Sequence, residues 1–482
     1  MTLDPDACYR ALVAHDARFD GAFFVGVKTT GVYCRPVCRA RTPRRDRCEF
    51  FARAALAERA GFRACFRCRP ERAPGHASVD AVSRLVAVAA RRIDEGALNE
   101  GGVEDLAAAL GASARHLRRA MQDELGVGPI ELALSRRIGL ARELLMGTSL
   151  PIAEVAFASG FASVRRFNDA YRARQRMTPS EVRRPGAPAG AGRDALRVVL
   201  DARPPFDASL AFAFLRARAV AGAECFAGET YLRAASMDGR TGVIAVTPAE
   251  GRDAVVVEVS SSLAPSLMSI VARVRRLFDS DADPRVIGAH LARDPLLRAR
   301  VRSRPGLRVM GAFEPFEWAV RAVLGQQVSV RAAMTIAGRL VAKLGAPVKR
   351  AERASAPTLA WPDAARLAGR ARRDRVGRPH ARARTVRAAR GRRQGARARS
   401  RRRSDGDPRG ALALPGIGPW TAEYVEMRAL GWPDAFPAGD LGLRKALGGI
   451  STAECEARAE RWRPWRAYAA AHLWMGLSEE TG

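Results

Sequence analysis

The chain has no long apolar run. No stretch in its 482 residues approaches the roughly 18 apolar residues that a membrane helix needs, which excludes a helical membrane span. The amino terminus, Met1 to Asp20, is charged and lacks the apolar centre of a secretory signal, so a cytoplasmic location is expected. Acidic residues are in short supply: 50 Asp and Glu stand against 81 Lys and Arg, a formal net charge of +31. A surplus of that size points to a polyanionic partner, most simply nucleic acid, although an Ala- and Arg-rich composition is also what a GC-rich gene encodes. Cysteine is scarce beyond residue 68, where only Cys225 and Cys455 follow, and both are expected to be plain buried side chains. There is no repeat of fixed period beyond a twice-used helix-turn-helix pattern.

The chain is long enough for three or four domains. Six of its eight cysteines fall in the first 68 residues. Cys34 and Cys38 are spaced C-x3-C and Cys65 and Cys68 C-x2-C, with 26 residues between the pairs. In a reducing compartment such pairs are metal ligands rather than disulfides, and two short loops that each converge two sulfurs suit a tetrahedral zinc site. Cys8 and Cys48 lack that spacing. The sequence Thr29-Thr30-Gly31-Val32-Tyr33-Cys34-Arg35-Pro36-Val37-Cys38, followed by Gly61-Phe62-Arg63-Ala64-Cys65-Phe66-Arg67-Cys68, closely resembles the N-terminal domain of the Ada alkylation-response family. The resemblance implies that Cys34 is both a zinc ligand and the nucleophile that takes a methyl group from a DNA methylphosphotriester. A zinc-bound thiolate is deprotonated yet keeps electron density, and its methylation removes one negative charge from a surface that faces phosphate. A plain structural zinc site is the alternative. The Pro-Cys-His-Arg methyltransferase run of the Ada family is absent, so repair of alkylated guanine oxygen is not expected.

From Ser78 to about Arg184 the pattern is helical and basic. Val103 to Leu110 reads as a helix stopped by Gly111, and Ser113 is placed to cap the next helix, Ala114 to Asp123. The unit recurs at Ile152 to Phe161 and from Ser163. Between them Ile130, Leu134, Ile138, Ala141 and Leu145 form a stripe expected to face the core. The first recognition helix offers Arg115, His116, Arg118 and Arg119 to DNA, the second Arg165, Arg166 and Asn168. With Gly160-Phe161 and Met177-Thr178-Pro179, the tandem unit resembles AraC-type regulators. The resemblance implies a monomer that spans successive major grooves of promoter DNA and works with RNA polymerase.

Strand-like runs occupy Leu196 to Val259, and helical patterns follow from Pro265. Leu414-Pro415-Gly416-Ile417-Gly418-Pro419-Trp420-Thr421 is a helix-hairpin-helix signature, in which Gly416 and Gly418 let backbone N–H groups face a phosphate. Phe436-Pro437-Ala438-Gly439-Asp440 follows it. Together with Leu324-Gly325-Gln326-Gln327-Val328-Ser329 these resemble the AlkA-type DNA-3-methyladenine glycosylases. The resemblance implies that Asp440 is the catalytic carboxylate and that Phe214, Trp420, Tyr424 and Trp474 form the pocket for a flipped, alkylated base. It further implies that Gln326 and Gln327 lie on the DNA. Trp420 stands where bifunctional relatives carry a nucleophilic Lys, so a monofunctional glycosylase that leaves an abasic site is expected. Leu441 stands where some relatives place an aromatic, and Gln327 where some carry an apolar wedge, so the substrate range stays open.

Between Arg366 and Arg409 there are 18 Arg against three acidic residues. The stretch is expected to be either a phosphate-gripping arm or a disordered or aberrant insert, because it lacks the apolar residues of a buried helix face. The second reading carries an alternative for the whole chain: a DNA-binding regulator with an inactive glycosylase half.

The expected fold is multidomain α+β. It comprises a zinc-bound domain (1–76), an all-α tandem helix-turn-helix domain (78–184), a linker (185–193), an α/β N-terminal glycosylase subdomain (194–305) and an all-α helix-hairpin-helix domain (306–482).

Overall fold

The structure is a computed structural model that describes residues 3–16, 19–73, 84–183, 195–348, 356–373 and 417–480. It divides into two compact units. The first holds Met1–Phe206, Val246–Arg275 and Asp279–Asp283, and the second Asp207–Ala245, Arg276–Phe278 and Pro284–Gly482.

In the first unit, helix α1 (Pro5–Val13) precedes strands β1 (Phe24–Val27), β2 (Val32–Cys34) and β3 (Cys48–Phe51), helix α2 (Ala54–Arg59) and strand β4 (Arg63–Ala64). The strands form one sheet in the order β3-β1-β2-β4. Gly26 permits its packing, because a Cβ there would stand 2.8 Å from the Phe51 ring and 2.9 Å from Phe62. Cys8 and Cys48 lie with Phe23 and Val25 in a small apolar core, away from the other cysteines of this region.

Helices α3 (Arg84–Asp94), α4 (Ala97–Glu100), α5 (Val103–Ala109), α6 (Ala114–Leu125), α7 (Pro129–Gly147), α8 (Ile152–Ala158) and α9 (Val164–Gln175) follow. Leu106, Leu117, Met121 and Leu125 share a buried cluster with Val86 and Ile93 of α3. The α7 stripe departs from expectation at its start. Ile138, Ala141 and Leu145 are buried, but Leu134 is half-buried and Ile130 is 60% exposed. Leu132 and Ala133 enter the core instead, beside Leu125 and Val127, because the turn before α7 sets which face of its first turn meets α6. The strand Ala195–Asp201 pairs antiparallel with Ala254–Ser260, Val198 opposite Val257. Leu196, Val198 and Leu200 alternate inward along it, as a half-buried strand requires.

In the second unit, the strands Glu224–Ala227 and Thr230–Met237 form an antiparallel hairpin. Helices Ala208–Arg216, Pro315–Leu324, Val330–Leu344, Pro419–Ala429, Leu441–Ala446 and Arg466–Glu480 build the rest of the site described below. Four charges are buried together. Arg233 pairs with Glu224 at 2.7 Å and with Glu317, and Arg321 pairs with Glu224 at 2.8 Å and with Glu317. The Tyr231 hydroxyl donates to Glu224 at 2.8 Å. Burial alone would raise the Glu224 carboxyl, but Arg321 and Arg233 hold it below the ordinary range.

The Arg-rich stretch is helical where it begins. Ala364–Arg373 forms a helix, with Leu367 and Ala368 buried, so these two apolar residues give its first turns a core face. The rest of the stretch lies outside the described residues, as does Gly416. Cys455 is buried, whereas Cys225 is only half-buried on its hairpin strand. Among the described residues no helix is long and apolar enough to cross a membrane.

Candidate functional site

Strand register assembles the cysteine cluster. β2 runs parallel to β4 with Tyr33 opposite Ala64, which sets the next residues, Cys34 and Cys65, side by side. The Cys65 N–H donates to the Tyr33 carbonyl at 3.0 Å, and the Cys38 N–H turns back to the Arg35 carbonyl at 3.1 Å. The four sulfurs of Cys34, Cys38, Cys65 and Cys68 lie within 4.8 Å of one another. The first three residues are buried and Cys68 is half-buried.

Four sulfurs this close cannot all shed their protons unless a cation sits among them. Hydrogen bonding with Cys38, Cys65 and Cys68 pushes the Cys34 thiol far above its ordinary range. Sharing with Cys34 pulls Cys38 down to about 7. That donor set fits zinc, which takes four thiolates tetrahedrally.

The sulfurs are not equivalent. Cys68 accepts the Arg35 N–H at 3.4 Å, Cys65 accepts the Arg67 N–H at 3.4 Å, and the Ala40 amide serves Cys38. Each such bond draws charge from the sulfur that accepts it. The Arg35 guanidinium is buried. It binds both oxygens of Asp20, pairs with Asp201 at 2.9 Å, and donates to the Cys68 carbonyl at 3.2 Å.

Both helix-turn-helix units are built by capping. Ser113 Oγ accepts the His116 N–H at 3.2 Å, and Ser163 Oγ accepts the Arg166 N–H at 3.3 Å. Gly111 and Gly160 make the preceding turns at φ +69° and +84°. Burial of Leu117, Met121 and Leu125 on α6, and of Phe167, Tyr171 and Gln175 on α9, turns the opposite faces outward. Arg115, His116, Arg118 and Arg119 are exposed on α6, and Arg165, Arg166 and Asn168 on α9. Arg118 also pairs with Glu104 at 2.6 Å.

In the second unit Asp440 caps the helix Leu441–Ala446, its Oδ1 accepting the Leu443 N–H at 3.0 Å. Two indoles converge on the same carboxylate: Trp474 Nε1 donates to Oδ1 and Trp420 Nε1 to Oδ2, both at 2.9 Å. Gly442 leaves room for this, since a Cβ there would lie 3.0 Å from Asp440 Oδ1 and 3.3 Å from the Trp474 ring.

Trp420 stacks on Tyr424 with ring centres 5.1 Å apart and planes 8° apart, and Trp474 meets Tyr424 edge-on at 6.3 Å. Phe214 reaches this group through Trp318, which lies 6.4 Å from Phe214 and 6.4 Å from Tyr424. Trp318 was not identifiable from the sequence, because it belongs to no motif there. Arg428 was missed too. Its buried guanidinium lies 4.7 Å from the Phe214 ring and 5.6 Å from Trp474, and donates to the Met310 carbonyl at 2.9 Å. Its position one helical turn after Tyr424 was the available signal.

The helix Pro419–Ala429 starts at an exposed Gly418. Gln326 Nε2 donates to Thr421 Oγ1 of that helix at 2.9 Å, and the exposed Gln327 adopts a left-handed φ of 62°. Lys445 is exposed on the helix that follows Asp440 and makes no part of the aromatic group.

Residues 7–71 match the metal binding domain of Ada, residues 106–185 a helix-turn-helix domain, and residues 197–314 the AlkA N-terminal domain. The chain is 43% identical over 486 aligned positions to a probable bifunctional transcriptional activator/DNA repair enzyme AlkA of Mycobacterium tuberculosis, which covers 98% of this chain and 97% of that protein. It is 32% identical over 282 positions to DNA-3-methyladenine glycosylase 2 of Escherichia coli, covering 57% of this chain and 95% of the relative. Over 71 positions it is 46% identical to the bifunctional transcriptional activator/DNA repair enzyme Ada of Escherichia coli, covering 15% of this chain and 20% of the relative. With an Ada-type metal-binding domain, a helix-turn-helix domain and an AlkA-type glycosylase in one polypeptide, the chain belongs to the family of bifunctional transcriptional activators and DNA repair enzymes.

Proposed function

We propose that this protein senses alkylated DNA through Cys34, regulates transcription through its paired helix-turn-helix units, and excises alkylated bases as a monofunctional glycosylase through Asp440. The observation that carries the repair reading is the convergence of the Trp420, Trp474 and Leu443 N–H groups on the Asp440 carboxylate.

Zinc held by Cys34, Cys38, Cys65 and Cys68 supplies the positive charge that lets all four sulfurs stay deprotonated. The Cys34 sulfur attacks the methyl carbon of a methylphosphotriester. An S–C bond forms, the C–O bond breaks, and the electron pair leaves with the phosphate oxygen, which becomes an ordinary phosphodiester anion. The product is a thioether, so the centre loses one negative charge and repels the DNA backbone less. Arg115, His116, Arg118 and Arg119 of α6, with Arg165, Arg166 and Asn168 of α9, then hold promoter DNA. One chain engages both grooves as a monomer and works with RNA polymerase.

In the glycosylase half, Gly418 and the start of its helix hold a phosphate, Gln326 and Gln327 lie along the duplex, and the flipped base enters the pocket of Phe214, Trp420, Tyr424 and Trp474. The glycosidic C–N bond breaks with its electrons going to the base. Asp440 stabilises the positive charge that develops on the sugar, and water adds at C1′ and gives up a proton to the solvent. An indole, rather than an amine, faces Asp440 at Trp420, which supports base release without strand cleavage.

The test is release of free base from a methylated duplex by the wild-type protein and by Asp440→Asn, with the strands analysed for cleavage. Base release by the wild type alone, with intact strands until alkali is added, is the expected result. Strand scission without alkali would refute the monofunctional reading. No base release by either protein, with zinc and DNA binding retained, would favour the regulator with an inactive glycosylase half.

A further inference from the structure

We propose that Trp318 is a specificity-determining residue: its indole N–H donates to an acceptor atom of the flipped base, so the site selects bases that turn a ring-nitrogen lone pair or a carbonyl oxygen toward it. The inference rests on the reading of Phe214, Trp420, Tyr424 and Trp474 as the base pocket.

The three indoles of the aromatic group are used differently. Trp420 and Trp474 give their N–H groups to Asp440. Trp318 stands between Phe214 and Tyr424, its plane 19° from the first ring and 28° from the second. It is 8% exposed, and its Nε1 is buried with no hydrogen-bond partner. Its neighbours Ala312, Val425 and Ala429 offer no side-chain acceptor. A buried N–H without an acceptor is a cost to the free protein that a bound acceptor removes.

A cavity adjoins the same two rings. Phe214 and Trp318 line it together with Arg218, Phe313, Arg233 and Arg321. Its carboxylates Glu224 and Glu317 are taken up by Arg233 and Arg321, and none of the lining carboxylates accepts the Trp318 N–H. The Nε groups of Arg233 and Arg321 are, like that of Trp318, buried without a partner. The space beside the rings is therefore rich in donors and short of acceptors. A base edge with lone pairs suits it, whereas an amino group there would set N–H against N–H. Trp318 alone of the three donors belongs to the aromatic group, so its N–H is the one assigned to the base. That bond also draws on the electrons that the breaking C–N bond leaves on the base, and so acts on the leaving group while Asp440 acts on the sugar.

The test is a double-substitution cycle on binding. The duplex carries hypoxanthine, a neutral purine with lone pairs at N3, N7 and its 6-oxygen, on a 2′-fluoro sugar that resists cleavage. It lies opposite a position without a base, so that pairing does not enter. N3 and N7 are each replaced by CH, and the 6-oxygen by hydrogen, one at a time. In the wild type one replacement is expected to weaken binding about tenfold more than the other two. In Trp318→Phe that difference is expected to vanish. Trp361→Phe removes another buried, unpartnered indole N–H, from a cluster with Val220, Ala337 and Val341, and is expected to keep the difference.

Equal effects of the three replacements in the wild type overturn the proposal, whether or not the variants fold. A difference that survives in Trp318→Phe, or that is lost in both variants, overturns it too. If the wild type releases no base from a methylated duplex, the Asp440 reading fails, whereas the binding cycle needs no bond cleavage and still decides Trp318.

Discussion

Trp474 and Asp440 are joined by an indole N–H that donates to the carboxylate at 2.9 Å, and Trp420 makes the equivalent bond to the other oxygen. On the proposed function the two rings serve as pocket wall and as orienting donor at once. This dual use separates what each substitution removes. Trp474→Phe keeps a ring and deletes one hydrogen bond to a charged acceptor, a loss of about 1.5–3 kcal/mol. Single-turnover base release is expected to fall roughly ten- to a hundredfold, with binding of abasic duplex little changed. An equal rate in the variant would remove Trp474 from the positioning of Asp440.

The cysteine cluster ties methyl acceptance to metal binding. Cys38→Ala leaves three sulfurs and an open ligand position, so zinc affinity is expected to fall steeply and the first domain to lose protection from proteolysis. Cys34→Ala is expected to lose zinc affinity and all methyl acceptance from methylphosphotriester DNA. Metal content and radiolabelled methyl transfer are the measurements. Methyl acceptance by the Cys34→Ala protein would move the nucleophile to another sulfur.

The quartet of Arg233, Arg321, Glu224 and Glu317 makes the second unit sensitive to the loss of a single charge. The side chain of Glu317 is 4% exposed and serves both guanidiniums. Glu317→Ala would leave two buried cations sharing one carboxylate, at a cost of about 3–5 kcal/mol. A urea titration followed by tryptophan fluorescence checks this, since the nearby Trp318 reports on the same helix. A change below about 1 kcal/mol would show that water or rearrangement compensates the charge.

His472 gives the second unit an acid limb. Burial, with Arg304 and Arg300 nearby, pushes its imidazole down to about 4 from an ordinary 6.5. The unfolded chain therefore takes up the proton first. The contribution to stability is complete above about pH 6.5 and is lost progressively as pH falls toward 4, up to about 3 kcal/mol in all. His472→Leu is expected to flatten the fall of the urea midpoint between pH 6.5 and 4. An identical acid slope in wild type and variant would assign the loss to other groups.

The sequence alone determined the features that depend on short spacing. The C-x3-C and C-x2-C pairs, the Gly111–Ser113 and Gly160–Ser163 junctions, and the Pro437-to-Asp440 loop before a helix each act within a turn or two of chain, where sterics and capping decide the outcome. The structure caps α6 and α9 with Ser113 and Ser163 and gathers the four cysteines into one cluster. Tertiary packing decided what joins distant segments. The parallel register that sets Cys34 beside Cys65, the bridge from Arg142 to the Cys65 carbonyl, and the meeting of Trp420, Trp474 and Asp440 have no local signal. Ile130 was misplaced for the same reason: periodicity defines which residues share a helix face, but only the partner surface decides which face is buried.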